Sequence, residues 1–301
     1  MAKDKDHLAP TELFSHVEEA DYFHVPDPSD LRQGMHIYIP QFYKGEPLIS
    51  VDTGNPLIDD NIKPLDFRIT KFMVLELAAA IIIAVFFIAL ARHLRGGKHS
   101  RGRLWNMREV MLLFMREQVA RPCIGKHDAD RFMPFLWTMF FFVLGCNLFG
   151  MIPWMGSPTG ALATTGMLAL ITFGVVVGSG MVNLCAVGVW KAQVPSMELP
   201  FVIAILLVPL IFVIEIAGLF IKHGVLAVRL LANMMAGHVV LAVLVGFIGA
   251  TYGMAAWWGV MPLSVIGATA LSLLELFVAF LQAYIFTFLS ALFIGMAVHP
   301  H

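Results

Sequence analysis

The sequence predicts an all-α membrane protein of five transmembrane spans plus one in-plane amphipathic helix, the last two helices long and tilted. Three observations lead there. The 301 residues are 58% hydrophobic and only 14% charged, a balance that a water-soluble domain of this size could not hold in solution. The apolar residues gather into runs of about 20 residues or more, enough to cross the hydrocarbon as a helix. Half of the 20 Lys and Arg residues lie between Arg92 and Arg131, so the loops alternate between basic and uncharged, as a chain threaded across a bilayer requires.

Residues 1–70 form a polar stretch punctuated by Pro26, Pro28, Pro40, Pro47, Pro56 and Pro64. Within it His36-Ile37-Tyr38-Ile39 alternates as extended structure does, and the whole is expected to be an extramembrane N-terminal tail. Its start is charged and lacks the short apolar core of a cleavable signal peptide. The membrane domain is expected at 71–301. Its first span, about 71–92, is followed at once by Arg92, Arg95, Lys98, Arg101 and Arg103; short basic loops stay cytoplasmic, so this helix is expected to run inward and the tail to lie outside.

Over about 104–121, Leu104, Met107, Met111, Phe114 and Met115 recur at spacings of three and four, opposite Arg108, Glu109, Arg116 and Glu117. This pattern predicts a helix lying in the membrane surface and stopped by Pro122. Spans at about 132–152 and 161–187 follow, joined by the external loop Pro153-Trp154-Met155-Gly156-Ser157-Pro158, which has no basic residue. The next loop, with Lys191 and Glu198, is read as internal. The last runs, about 201–249 and 262–298, exceed the spanning length, so each is expected to be one long, tilted or bent helix. The uncharged Tyr252 to Trp258 turn puts their junction outside and the carboxyl terminus inside.

Charged groups near a bilayer centre cost roughly 2.5–3.5 kcal/mol each on insertion scales, so they persist where they face protein, water or a function. In the last two runs the polar residues are Glu215, Lys222, His223, Arg229, Asn233, His238, Glu275 and Gln282. At about 100° per residue Glu215, Lys222 and Arg229 fall within about 40° of one another, with Asn233 one turn on, while His238 points roughly opposite to Arg229. Glu275 and Gln282 share a face within about 20°. Together they supply an acid, an imidazole titrating near neutrality and neutral amides, the inventory of a proton path. Lys222 and His223 read equally well as snorkelling or interfacial groups. Glu76 reads as a solvated interfacial residue, and Asn147 as a bond between helices. Cys123, Cys146 and Cys185 are dispersed and read as free thiols, with no metal-ligand spacing. A stand-alone channel or transporter is a competing class, and a haem protein a third, although no histidine pair repeats across facing helices. No P-loop and no nucleophile paired with a base is present, so no catalytic site and no cofactor are expected in this chain.

The segment Arg229-Leu230-Leu231-Ala232-Asn233-Met234-Met235-Ala236-Gly237-His238 resembles the signature of subunit a of F-type ATP synthases, an arginine joined to an Asn and an Ala-Gly pair at this spacing. The resemblance continues through Leu281-Gln282-Ala283-Tyr284-Ile285-Phe286, through Asn147 to Pro153 and through Glu215, covering about 70–301. It implies a proton-translocating stator subunit of the rotary ATP synthase, with two offset half-channels against the c-subunit ring. In that reading Arg229 faces the ring with Asn233 and Gln282 beside it, Glu215 belongs to the inner half-channel, and His238 with Glu275 to the outer. The acid and the histidine are interchanged relative to several bacterial relatives. Gly150 stands where some relatives have an acid, so no channel role is carried to it. The implied partners are the c ring, the peripheral-stalk b subunits, the remaining synthase subunits and the lipid bilayer, with no nucleic acid. The implied location is the bacterial plasma (inner) membrane.

Overall fold

The computed structural model describes residues 20–25, 35–41, 69–95, 103–152, 155–192 and 201–299. Most of the amino-terminal stretch, the basic loop after Arg95, the Lys191 to Glu198 loop beyond Ala192 and the last two residues lie outside the described residues. Two short strands, β1 (Tyr22–Val25) and β2 (Met35–Tyr38), pair antiparallel with Tyr22 opposite Tyr38. Their hairpin is tied to the first helix by a 2.9 Å bond from the Lys71 N–H to the Ala20 carbonyl. The Gln41 amide adds to this by bonding both the N–H and the C=O of Ile69.

Helix α1 (Lys71–Arg95) contains neither Gly nor Pro, so nothing interrupts its hydrogen bonds. Helix α2 (Arg103–Phe114) runs into a wider π turn, Met115–Ala120, and then a short helix α3 (Arg121–Ile124). The expected stop at Pro122 is therefore wrong by two residues. In a continuous α-helix the proline ring would meet the carbonyl four residues back. Here the Arg121 N–H reaches five residues back, to Arg116, and the widened turn relieves that clash just before the proline. The chain ends this run at Gly125, whose φ of 100° suits glycine.

Helix α4 (Ala129–Gly150) precedes a 3₁₀ turn at Pro158–Gly160, followed by α5 (Leu162–Ala192), α6 (Phe201–Ala250) and α7 (Trp257–Val298). Among the described residues, five helices (α1, α4, α5, α6 and α7) are long and apolar enough to cross a membrane. At 1.5 Å per residue α6 is about 75 Å long and α7 about 63 Å, each at least twice the roughly 30 Å of hydrocarbon. Helix α7 starts at Trp257, some five residues before the expected 262, and carries Pro262 inside it, where the ring forgoes the bond to the Trp258 carbonyl.

The core gathers α4, the π turn, α3 and the second half of α7: Val119, Ile124, Leu136, Val143, Phe286 and Ile294 are essentially inaccessible. Gly295 allows the closest approach, since a Cβ there would overlap the Cys123 carbonyl oxygen. At the same end the His299 imidazole lies 3.2 Å from Asp128, and Arg116 forks onto Asp130 with its Nε at 2.7 Å. That carboxylate raises the Arg116 pKa further above its ordinary value, chiefly through the hydrogen bond. Cys123 and Cys146 are free thiols.

Candidate functional site

Helices α6 and α7 meet closely at a glycine beside the predicted polar residues. A Cβ built on Gly237 would stand 2.6 Å from Glu275 Oε1 and 3.0 Å from its Cδ, so the bare backbone of α6 makes room for the carboxylate of α7. Further along, Gly267 of α7 lies against Leu244 of α6. Seven residues forward on one helix are thus matched by eight back on the other, an antiparallel register. Continued the opposite way, the same register would carry Arg229, eight residues before Gly237, to about the height of Gln282, seven after Glu275.

Glu275 and Gln282 are buried at 6% and 5% exposure, whereas Arg229, Asn233, His238 and Glu215 are half-buried on α6. Arg229 Nε and Nη2, His238 Nε2 and Glu275 Oε1 are sequestered from solvent and make no hydrogen bond among the described residues. A cation, an imidazole and a carboxyl held without such partners are costly in a stable core, and such groups are what a site keeps for a partner or a passing proton. Lys222 is exposed, as a snorkelling side chain would be.

His223 does not follow it. It is 4% exposed, its Nδ1 lies 2.8 Å from the Leu219 carbonyl, and its ring lies against Phe173 and Phe293. The interfacial alternative read from sequence is thus replaced by an aromatic cage between α5, α6 and α7. Glu76 differs as well: it is half-buried, and its Oε1 accepts a 2.6 Å bond from the Thr164 hydroxyl of α5. It ties α1 to α5 while part of its surface stays open.

A second, fully satisfied polar cluster backs the site. Asn147, with no exposed surface, donates from Nδ2 to the Ala279 carbonyl at 3.2 Å, one turn beyond Glu275, and accepts from the Thr159 hydroxyl at 2.8 Å. Ser157 then lies 2.8 Å from Thr159, so its hydroxyl is the donor left to complete the chain. Gly150 is required beside it, because a Cβ there would fall 2.5 Å from Ser157 Cβ. Asn147 is legible from sequence as a helix-to-helix bond. Ser157 and Thr159 sit in a loop with no pattern to single them out, and Gly237 is marked only as half of the Ala-Gly pair in the signature segment. Among the described residues no cluster of His, Cys, Asp or Glu could hold a metal ion.

Comparison with known proteins matches residues 72–295 to the family described as ATP synthase A chain. The chain is 43% identical over 241 residues to ATP synthase subunit a of Myxococcus xanthus, covering 79% of this chain and 76% of that one. Against ATP synthase subunit a of Chloroherpeton thalassium it is 41% identical over 237 residues, covering 77% and 67%. With the subunit of the same name from Anaeromyxobacter sp. (strain Fw109-5) the identity is 34% over 301 residues, covering 96% and 70%.

Proposed function

This chain belongs to the ATP synthase A chain family, an integral, multi-pass membrane-sector subunit serving ATP synthesis and proton transport, and on that premise we propose that it forms two offset half-channels against a ring of c subunits. The carrying observation is the α6–α7 crossing. It seats Glu275 against Gly237, the residue before His238, while Arg229 keeps two guanidinium nitrogens without a partner among the described residues.

In the proposed cycle a proton enters from outside by way of His238 and Glu275 and neutralises a ring carboxylate. The neutral carboxyl can turn into lipid, where its charged form would be expensive. After nearly a full turn it reaches the inner half-channel at Glu215 and gives up the proton. Arg229, always protonated, faces the ionised carboxylate as it passes and blocks a direct leak, with Asn233 and Gln282 beside it in the wall. One charge crossing 100 mV supplies about 2.3 kcal/mol, so rotation must pool several for each ATP, whose chemistry belongs to other subunits.

The same proposal puts the chain in a bacterial plasma (inner) membrane beside the peripheral-stalk b subunits. The 1–70 tail lies outside, α2 lies in the cytoplasmic surface, and the carboxyl terminus faces the cytoplasm, an orientation supported by the basic residues between Arg92 and Arg131. The test is Arg229→Ala in the whole complex reconstituted into vesicles. ATP-driven acidification, read with a pH-sensitive dye, should vanish while the complex assembles normally; pumping at the unmodified rate overturns the proposal.

A further inference from the structure

Helix α1 carries a single acid, Glu76, on its second turn, and the cycle above makes no use of it. Its Oε1 accepts the Thr164 hydroxyl at 2.6 Å while part of the residue stays open, and the wholly buried Cys146 thiol of α4 is near enough to feel its charge. Phe86 meets Phe141, and a Cβ on Gly145 would lie 3.7 Å from that of Ala79, so α1 and α4 run antiparallel. Asn147, two residues beyond Gly145, bonds the Ala279 carbonyl, one turn from Glu275. Counted from the Ala79–Gly145 contact at helical rise, Glu76 stands about 4–5 Å, and Glu275 about 9 Å, toward the Pro158–Gly160 turn. Acids from the first and last spans thus lie at similar depth. The turn itself packs against α1, α4, α5 and α6, and a Cβ on its Gly160 would lie 3.8 Å from Met235 Sδ, two residues before the glycine that receives Glu275.

Tying α1 to α5 requires only an acceptor for the Thr164 hydroxyl. A neutral amide would supply one, and a single hydrogen bond between helices returns less than it costs to keep a carboxylate among apolar residues. What a carboxyl adds to an amide is a proton that it can take up and release. From this placement we propose that Glu76 is a further proton-exchanging residue of the outer half-channel, collecting protons from the external medium and passing them, beside the Pro158–Gly160 turn, toward His238 and Glu275. In each passage the carboxylate binds one proton and becomes neutral, then gives that proton up and is a carboxylate again. Thr164 holds the group in place and carries nothing, so it is a positioning residue. The proposal rests on the half-channel reading above, which puts the Lys71 end of α1 outside.

The experiment uses the whole complex in vesicles, with its ATP-forming sector facing out so that the outer half-channel opens on the lumen. The initial rate of ATP synthesis after an acid-to-base shift is read for Glu76→Gln, Glu76→Asp and Thr164→Val, together with the unfolding temperature of each complex. Glu76→Gln still accepts from Thr164, so it should assemble with an unchanged unfolding temperature yet synthesise ATP severalfold more slowly. Raising the concentration of Mes buffer trapped in the lumen should recover much of that rate, because a mobile acid delivers protons in place of the missing one. Glu76→Asp should keep most of the rate. Thr164→Val should lower the unfolding temperature while retaining more of the rate than Glu76→Gln does. Synthesis at the unmodified rate in Glu76→Gln overturns the role, and so does a deficit that no buffer concentration relieves or a failure of that variant to assemble. Arg229→Ala separates the two proposals. Pumping lost there, beside an unmodified rate in Glu76→Gln, removes Glu76 alone, whereas normal pumping in Arg229→Ala removes the half-channels and the part of Glu76 with them.

Discussion

Helices α6 and α7 lie side by side and are equally apolar, yet they solve the problem of burial differently. In the most apolar stretch of α6 only 6% of residues are buried within the chain, against 50% for α7. The contrast sharpens within α7 itself. Leu263, Ile266, Leu273 and Phe277 are exposed, while from Ala279 onward Ala283, Phe286, Thr287, Ser290 and Ile294 are closed off by α4 and the turn before it. Apolarity alone does not decide what is buried inside a membrane protein, since lipid is as apolar as leucine. The second half of α7 is closed with small residues and satisfied hydroxyls, whereas α6 has small residues but no Ser or Thr along its whole length. Apart from Glu76, the proposed transport groups all sit along the open helix and at the border between the two regimes.

Substitutions can break that contrast. The largest effect is expected at Gly295→Ala, where the added carbon meets the Cys123 backbone, which cannot swing aside. Overpacking of this kind costs roughly 1–3 kcal/mol or more, so the variant should show reduced assembled complex and a lowered unfolding temperature. Unchanged stability would mean that the closed half is not closely packed. Next comes Thr159→Val, which keeps the shape but strands Ser157 and the Asn147 carbonyl oxygen. Leaving such groups unpaired costs about 1–3 kcal/mol, and Thr159→Ser should recover most of it. Equal stability of the valine and serine variants would remove the hydroxyl chain from the account.

The smallest effect on stability is expected at Gly237→Ala. Its neighbour is the far end of a flexible side chain, and alanine favours a helix over glycine by about 1 kcal/mol, so the fold should be unharmed. The Glu275 carboxyl, however, must move. ATP-driven proton pumping should fall severalfold in a complex that assembles fully, and pumping at the original rate would separate Glu275 from the proposed path.

Much of this architecture is written in the order of residues. Five apolar runs become five long helices because a buried or lipid-facing backbone must satisfy its own hydrogen bonds, and the polar stripe around Arg229 needs only the helical period. What could not be read depends on contacts between distant segments. Pro122 looks like a helix stop until the π turn before it is seen. His223 looks interfacial until Phe173 and Phe293 close around it. Glu76 and Thr164 lie 88 positions apart, and neither carries a local sign of the other. Gly237 belongs to the Ala-Gly pair of the signature segment, but nothing local says that it is the point at which α6 receives the carboxyl of α7.

The bond from Asn147 to the Ala279 carbonyl also has a history in time. Its partners are 132 residues apart, so at about 5–20 residues per second the ribosome makes the second roughly 7–26 seconds after the first. Thr159 emerges within a few seconds and can occupy the asparagine's oxygen, but the amide nitrogen must wait for the last helix. Until then the half-made protein carries an unmet donor at the middle of its fold. Closing that bond couples the insertion of the final helix to the setting of those before it, and distinguishes a finished chain from one released early.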